Sequence, residues 1–145
     1  LPVNYSTDKM KEMIRKVVNK SEYELQRIKI ILIPEKLIIS SDELIINKNI
    51  YDGAKLNTIQ QIRSLPYLKS ISYLDCYHSY KKITKKGYFD ALLMDEKENV
   101  YEGSRSNIFW FEGEKLCTCK DSVLPGIMRD FIIDISPFQI ISHQV

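Results

Sequence analysis

The first part of the chain opens with an amphipathic helical pattern. Apolar residues recur at three- and four-residue spacing across residues 10–18, which predicts a helix with one apolar face. Ser6 or Thr7 precedes this pattern, and either side-chain oxygen can accept a hydrogen bond from a free amide of the first turn. We therefore predict a capped helix that ends near residues 19–22.

Short β-branched runs follow the helix. Residues 28–33 predict a strand, and Pro34 ends it because proline has no amide hydrogen for a sheet ladder. The apolar runs 37–39 and 44–46 predict two more short strands, separated by polar residues 40–43.

The middle of the chain alternates between a helix and strands. Tyrosines and apolar residues at helical spacing predict a helix over residues 73–84, and Gly87 is placed to end it. Apolar runs predict strands at 88–94 and 99–111, joined by an acidic turn.

The last part of the chain contains a hairpin and a helix. Glu112-Gly113-Glu114 predicts a tight turn into a strand that starts at Lys115. Gly126 begins a helical pattern, and Pro137 ends it.

Composition and charge are those of an ordinary soluble protein. The 145 residues are 44% hydrophobic and 28% charged, with a net charge of +2. This small charge gives no reason to expect a nucleic-acid partner. No apolar run approaches the roughly 20 residues of a membrane span, so we expect no membrane partner. The chain starts without Met, so a lost N-terminus could hide a targeting segment.

Three cysteines, an odd number, indicate free thiols in a reducing cytoplasm: Cys76, Cys117 and Cys119. Cys117 and Cys119 lack a second Cys or His pair nearby in sequence, and both His78 and His143 are distant. The sequence pattern therefore predicts no metal site.

Three short stretches carry the candidate chemistry, in this order along the chain: Leu68-Lys69-Ser70, Glu102-Gly103-Ser104-Arg105-Ser106-Asn107 and Leu124-Pro125-Gly126-Ile127-Met128-Arg129. Between the first two lies Gly87-Tyr88-Phe89-Asp90-Ala91-Leu92-Leu93. Together they resemble the class IV aminotransferases, a family that includes branched-chain and D-amino-acid aminotransferases and aminodeoxychorismate lyase. The resemblance covers roughly residues 60 to 135.

The resemblance implies a mixed α+β fold that binds pyridoxal 5'-phosphate between two domains. Residues 1–50 would be the remainder of the small N-terminal domain, and residues 51–145 the larger, β-rich cofactor-binding domain. Residues 47–58, with a turn at Asp52-Gly53, would form the passage between them. The family also implies a homodimer.

The resemblance assigns the reacting amine to Lys69, which lies in an apolar context eighteen residues before Gly87. A lysine can form a Schiff base with an aldehyde once burial or a nearby cation lowers its pKa. Glu102 would keep a proton on the pyridine nitrogen of the cofactor. Tyr73 resembles a tyrosine near the ring oxygen, although a core or interface role is an equal alternative.

The phosphate would be bound at the start of the last helix. Gly126, Ile127 and Met128 resemble the family's phosphate site, where backbone amides and the helix dipole favour an anion. Met128 stands where the family usually has a threonine, and Ser106 could replace that hydroxyl. The neighbouring loop residues of the family pattern would also contact the cofactor: Ser104, Arg105 and Asn107.

The implied reaction is transfer of an amino group between an amino acid, branched-chain or D, and a 2-keto acid. Lys69 would hold the cofactor as an internal aldimine and then act as the general base. The alternatives are a lyase that eliminates pyruvate and a non-catalytic relative. The family's N-terminal arginine and final strands have no counterpart here, so three explanations stay open: the sequence is part of a longer protein, segments are missing from it, or the cofactor site is degenerate. The chain alone could then be inactive.

Overall fold

The computed structural model describes residues 5–46 and 48–143. The chain divides into two compact units, Leu1–Lys48 and Asn49–Val145. Helices and strands are mixed in the sequence, and the predicted α+β fold class is confirmed. Within the described residues, no helix is both long and apolar enough to cross a membrane.

The first unit is a helix followed by a two-stranded antiparallel sheet. Its elements are α1 (Thr7–Lys20), β1 (Gln26–Ile33) and β2 (Lys36–Glu43). The oxygen of Ser6 accepts a hydrogen bond from the amide of Lys9 at 3.3 Å, so the predicted cap is confirmed at Ser6. Helix α1 ends at Lys20, as its pattern predicts.

The prediction of separate strands at 37–39 and 44–46 is wrong. One strand, β2, continues through the polar residues, and residues 44–46 follow it outside any strand. These polar residues have partners on β1. Asp42 forms an ion pair with Arg27, and the Ser41 hydroxyl donates to the Gln26 side chain at 2.8 Å. Cross-strand pairing therefore overrides the local apolar pattern.

The second unit contains two three-stranded sheets. A 3-10 helix (Lys48–Asp52) precedes the first sheet, and Gly53 follows it with a φ of +100°. The sheet has the order β3-β4-β5, with β3 parallel to β4 and β4 antiparallel to β5. Its elements are β3 (Leu56–Gln60), α2 (Leu74–Thr84), β4 (Asp90–Met94) and β5 (Val100–Gly103).

Helix α2 contacts β4 and supplies part of the core of this unit. Cys76 and Ile83 on the helix are buried, as are Ala91 and Leu93 on the strand. Gly87 follows α2 with a φ of +85°, a conformation that glycine adopts without a Cβ penalty. The predicted helix and its terminating glycine are therefore confirmed.

The second sheet has the order β6-β7-β8. Its strands are β6 (Phe109–Glu112), β7 (Lys115–Thr118) and β8 (Ile140–Ser142), and α3 (Ile127–Ile135) lies between β7 and β8 in sequence. The hairpin turn at Gly113 and the bounds of α3 are as predicted. Strand β8 pairs with β7 in parallel, and the sequence pattern does not predict it.

The predicted single strand over residues 99–111 is wrong. It is divided into β5 and β6, which belong to different sheets. The division occurs at a tight loop in which the amide of Gly103 donates to the carbonyl of Ser106 at 2.7 Å. The amide of Ser104 donates to the Ala91 carbonyl at 2.8 Å, so the chain turns back toward β4 at this point.

Candidate active site

Glu102 is a buried acid near the end of β5. It lies opposite Leu93 of β4, and its side chain is 2% exposed. Oε1 accepts a hydrogen bond from Nε of Arg63 at 2.6 Å, and Oε2 accepts one from the Leu124 amide at 3.1 Å. A carboxylate removed from water requires such partners, because an unpaired buried charge is strongly destabilising.

Arg63 also belongs to this site, although the sequence pattern does not predict it. It follows β3, six residues before Lys69, and its side chain is 14% exposed. The predicted role of Glu102 could have pointed to it, since a buried carboxylate needs a cation or hydrogen-bond donors nearby. Arg63 supplies the positive charge that balances Glu102.

The start of α3 offers uncapped backbone amides. Gly126 is the N-cap residue and makes no side-chain capping bond, and the first helical bond runs from the Asp130 amide to the Gly126 carbonyl at 2.9 Å. The amides of the first turn therefore have no acceptor within the helix. Ile127 and Met128 are 87% and 65% exposed, so this helix end is open to an anion.

Asn107 holds the segment that enters α3. Its Nδ2 donates to the Leu124 carbonyl at 2.8 Å. Its Oδ1 is so close to Gly126 that a Cβ added there would lie 2.2 Å from it. Glu102 and Asn107 thus bind the amide and the carbonyl of the same residue, Leu124, and together they position the first turn of α3.

The hydroxyls of Ser104 and Ser106 both donate to the buried carboxylate of Asp90. Ser104 bonds Oδ1, and Ser106 bonds Oδ2 at 3.3 Å. Because a hydroxyl has one hydrogen to donate, a phosphate would have to replace Asp90 as the acceptor of Ser106. It stays a prediction that the Ser106 hydroxyl binds the phosphate in place of the family's threonine.

Arg105 and Tyr73 both make aromatic contacts on the α2 side of the unit. The guanidinium of Arg105 lies 3.7 Å from the centre of the Tyr80 ring. Tyr73 is the N-cap residue of α2 and meets Tyr77 edge-on, with 6.4 Å between ring centres. Their predicted contacts with a cofactor stay predictions.

Lys69 is exposed in the loop between β3 and α2. A hydrogen bond joins this loop to the segment before α3: the Ser122 amide donates to the Tyr67 hydroxyl at 3.1 Å. The fold therefore ties the lysine loop to the same segment that Glu102 and Asn107 hold. Three stretches that are far apart in sequence are linked through residues 122–126.

The cysteines are free and buried, which confirms the predicted free thiols. Burial raises the pKa of the Cys119 thiol to about 11, against the opposing effect of nearby Arg129. Nη2 of Arg129 donates to the Cys119 carbonyl at 2.8 Å, which fixes the end of β7 to α3. The arginine of the third motif thus acts as a link between elements in this structure.

Comparisons with known proteins give a family and a fold. A family model described as amino-transferase class IV matches residues 1–144. No curated protein matches the chain.

Three solved structures are similar to this chain. A protein from Legionella pneumophila, provisionally named 4-amino-4-deoxychorismate lyase, is 23% identical with a TM-score of 0.82 over 99% of this chain and 61% of its own. The branched-chain amino acid aminotransferase of Escherichia coli is 19% identical, with a TM-score of 0.80 over 100% and 57%. The branched-chain amino acid aminotransferase of T.th., complexed with N-(5'-phosphopyridoxyl)-L-glutamate, is 20% identical, with a TM-score of 0.79 over 99% and 55%. The chain thus spans 55 to 61% of the length of these structures.

Proposed function

Because the chain belongs to the class IV aminotransferase family, we propose that the protein is a pyridoxal-phosphate-dependent aminotransferase. It would transfer an amino group between an amino acid, branched-chain or D, and a 2-keto acid. The observation that carries the proposal is the buried carboxylate of Glu102, which is bonded to the segment that opens α3. Glu102 and the start of α3, where the phosphate would bind, are thereby connected through Leu124.

The side chains and amides of this region fit pyridoxal phosphate. Glu102 would hold a proton on the pyridine nitrogen, and the amides of Ile127 and Met128 would bind the phosphate. When bound, the cofactor supplies an electron sink for the substrate's α-carbon. Ser104, Arg105, Ser106, Asn107 and Tyr73 complete the proposed set, with Asn107 acting by positioning Gly126.

Lys69 would supply the reacting amine. Its loop is bonded to residues 122–126, the segment that Glu102 and Asn107 also hold, and this supports the role. Its Nζ would hold the cofactor through the aldehyde carbon, with loss of water, and would take up the proton from the substrate's α-carbon after the substrate's amine has displaced it. Arg63 would hold the Glu102 side chain in its orientation while these steps occur.

The test is visible absorption of the purified chain after addition of pyridoxal phosphate. We expect a band that is lost in Lys69→Ala and kept in Lys86→Ala, a matched lysine at the exposed end of α2. A panel of amino acids, each added alone, then identifies the donor by loss of this band. Addition of a 2-keto acid should restore the band and form a new amino acid.

Each alternative gives a different outcome in the same experiment. Release of pyruvate from a chorismate-derived amine, without amino transfer, would indicate the lyase. A folded protein that binds the cofactor without a band dependent on Lys69 would overturn the catalytic proposal and indicate a non-catalytic relative. Both the chain and any longer natural form of it should be tested in these assays under the same conditions.

The family resemblance also supports proposals on organisation. Residues 1–50 would be part of the small domain and residues 51–145 part of the larger one. We propose a cytoplasmic homodimer, and light scattering of the purified protein measures its mass directly. A monomeric mass at working concentration would contradict the dimer.

A further inference from the structure

Three side chains with metal-binding atoms meet on one face of the second sheet. Glu112 ends β6, Cys117 lies within β7, and His143 follows β8. One carboxylate oxygen, the thiol sulfur and one imidazole nitrogen all lie within 4.8 Å of one another. The sequence predicts no metal site because His143 lies 26 positions after Cys117, and the pairing of β8 with β7 brings the two residues together.

The sheet register explains why these residues share a face. Trp110 lies opposite Cys117 in the antiparallel pair, and Cys117 lies beside Ile141 in the parallel pair. Side chains two residues apart on a strand point to the same face. Glu112 therefore shares the face of Trp110, and His143 shares that of Ile141, so both lie beside Cys117.

We propose that Glu112, Cys117 and His143 bind one Zn²⁺ ion, with the fourth coordination position open to water. Thiolate and imidazole ligands favour zinc over Mg²⁺ or Ca²⁺, which prefer oxygen. Metal bonds of about 2.0–2.3 Å in a tetrahedron place ligand atoms roughly 3.3–3.8 Å apart. Oε1 of Glu112 and Nε2 of His143 are already 3.1 Å apart, so a small movement of side chains completes the site.

Trp110 supports the ligands from outside the site. Its Nε1 donates to Oε1 of Glu112 at 2.8 Å, and its ring meets that of His143 edge-on with 5.3 Å between centres. Such outer contacts orient metal ligands and raise affinity. The Glu112 and His143 side chains are 51% and 37% exposed, whereas Cys117 and the Nε2 atom of His143 are buried, so the two partly exposed side chains would move to admit an ion from solvent.

The ion would act as a structural clamp. Strand β8 has only three residues, Ile140–Ser142, and lies at the edge of its sheet. A zinc ion held by the strands on either side of Cys117 would join β8 to β6 and β7. Binding replaces the thiol proton of Cys117 with the metal, and this proton passes to solvent.

The test is titration of the metal-free, untagged chain with Zn²⁺ and Co²⁺. We expect one ion per chain, a thiolate-to-cobalt absorption band, and a change in fluorescence from Trp110, the only tryptophan in the sequence. Zinc should also raise the melting temperature, since a ligand that binds only the folded state stabilises it.

Matched variants decide between this site and incidental uptake. Glu112→Gln, Cys117→Ser and His143→Gln should each weaken zinc binding by at least about 100-fold, since loss of an outer partner alone costs about 10–100-fold. The controls Glu114→Gln, Cys119→Ser and His78→Gln should bind as the unaltered chain does. If the Cys117→Ser variant does not fold, because Cys117 is buried, the variants Glu112→Gln and His143→Gln still test the proposal.

Two results would overturn the proposal. The first is that the folded chain shows no saturable uptake of zinc. Glu112, Cys117 and His143 would then form a hydrogen-bonded cluster only. The other is uptake that survives in Glu112→Gln and His143→Gln. Lys69→Ala should bind zinc normally, so this test is independent of the proposed aminotransferase activity.

Discussion

Breaking the ion pair between Arg63 and Glu102 should strongly destabilise the fold. Arg63→Met removes the positive charge and keeps a side chain of similar length. Among the described residues, this leaves the buried carboxylate of Glu102 with one donor, the Leu124 amide. At a charge separation of about 4 Å, the pair is worth roughly 4 kcal/mol for an effective dielectric constant of about 20. Breaking one side of a buried pair costs about 3–5 kcal/mol. The two values are of the same order.

The assay is urea unfolding of four proteins: the unaltered chain, Arg63→Met, Glu102→Gln and the double variant. We expect Arg63→Met to lower the free energy of unfolding by about 3–5 kcal/mol. The double variant should recover most of this loss, because no uncompensated charge remains. Arg105→Met is the control, since an exposed cation–π contact contributes about 0.5–1 kcal/mol.

If the double variant loses as much unfolding free energy as Arg63→Met and Glu102→Gln lose in sum, the reasoning is refuted. Effects of independent sites add, whereas those of interacting residues do not. A loss for Arg63→Met no larger than that for Arg105→Met would refute it as well. If Arg63→Met does not fold, recovery of folding in the double variant gives the same information.

Three further predictions follow from other contacts. Gly126→Ala should cost about 1–3 kcal/mol in urea unfolding, because its Cβ would displace Asn107 from Leu124; equal losses with and without Asn107→Ala would contradict this. A hydrogen bond from the Asn99 side chain lowers the pKa of Asp95 to about 2 from 3.8, so its contribution to stability is full above pH 3.8 and lost as pH falls through 2. The stability difference between the unaltered chain and Asp95→Asn should be constant near neutral pH and shrink below about pH 4, and a constant difference throughout would count against it. The buried cysteines, whose thiol pKa values burial raises, should resist iodoacetamide at neutral pH until urea unfolds the chain, whereas rapid labelling of the folded protein, read by mass spectrometry, would contradict their burial.

Local sequence determined the helices and the tight turns. The spacing of apolar residues predicts α1 and α3, while Ser6, Gly126 and Pro137 mark their ends. Gly113 marks the hairpin between β6 and β7. These features depend on interactions within a few residues, so the residues themselves suffice to predict them. The motifs around Lys69, Glu102 and Gly126 likewise indicate the family from short stretches.

Only the tertiary structure decided which distant groups meet. Arg63 and Glu102 are 39 residues apart and pair because β3, β4 and β5 form one sheet. The loop between β5 and β6 forms where Ser104 and Ser106 bond Asp90, an acceptor on another strand. Likewise, His143 reaches Cys117 only through the pairing of β8 with β7. Periodicity records which face of an element is apolar, whereas strand order and register, which bring these charges and ligands together, arise from packing of the whole chain.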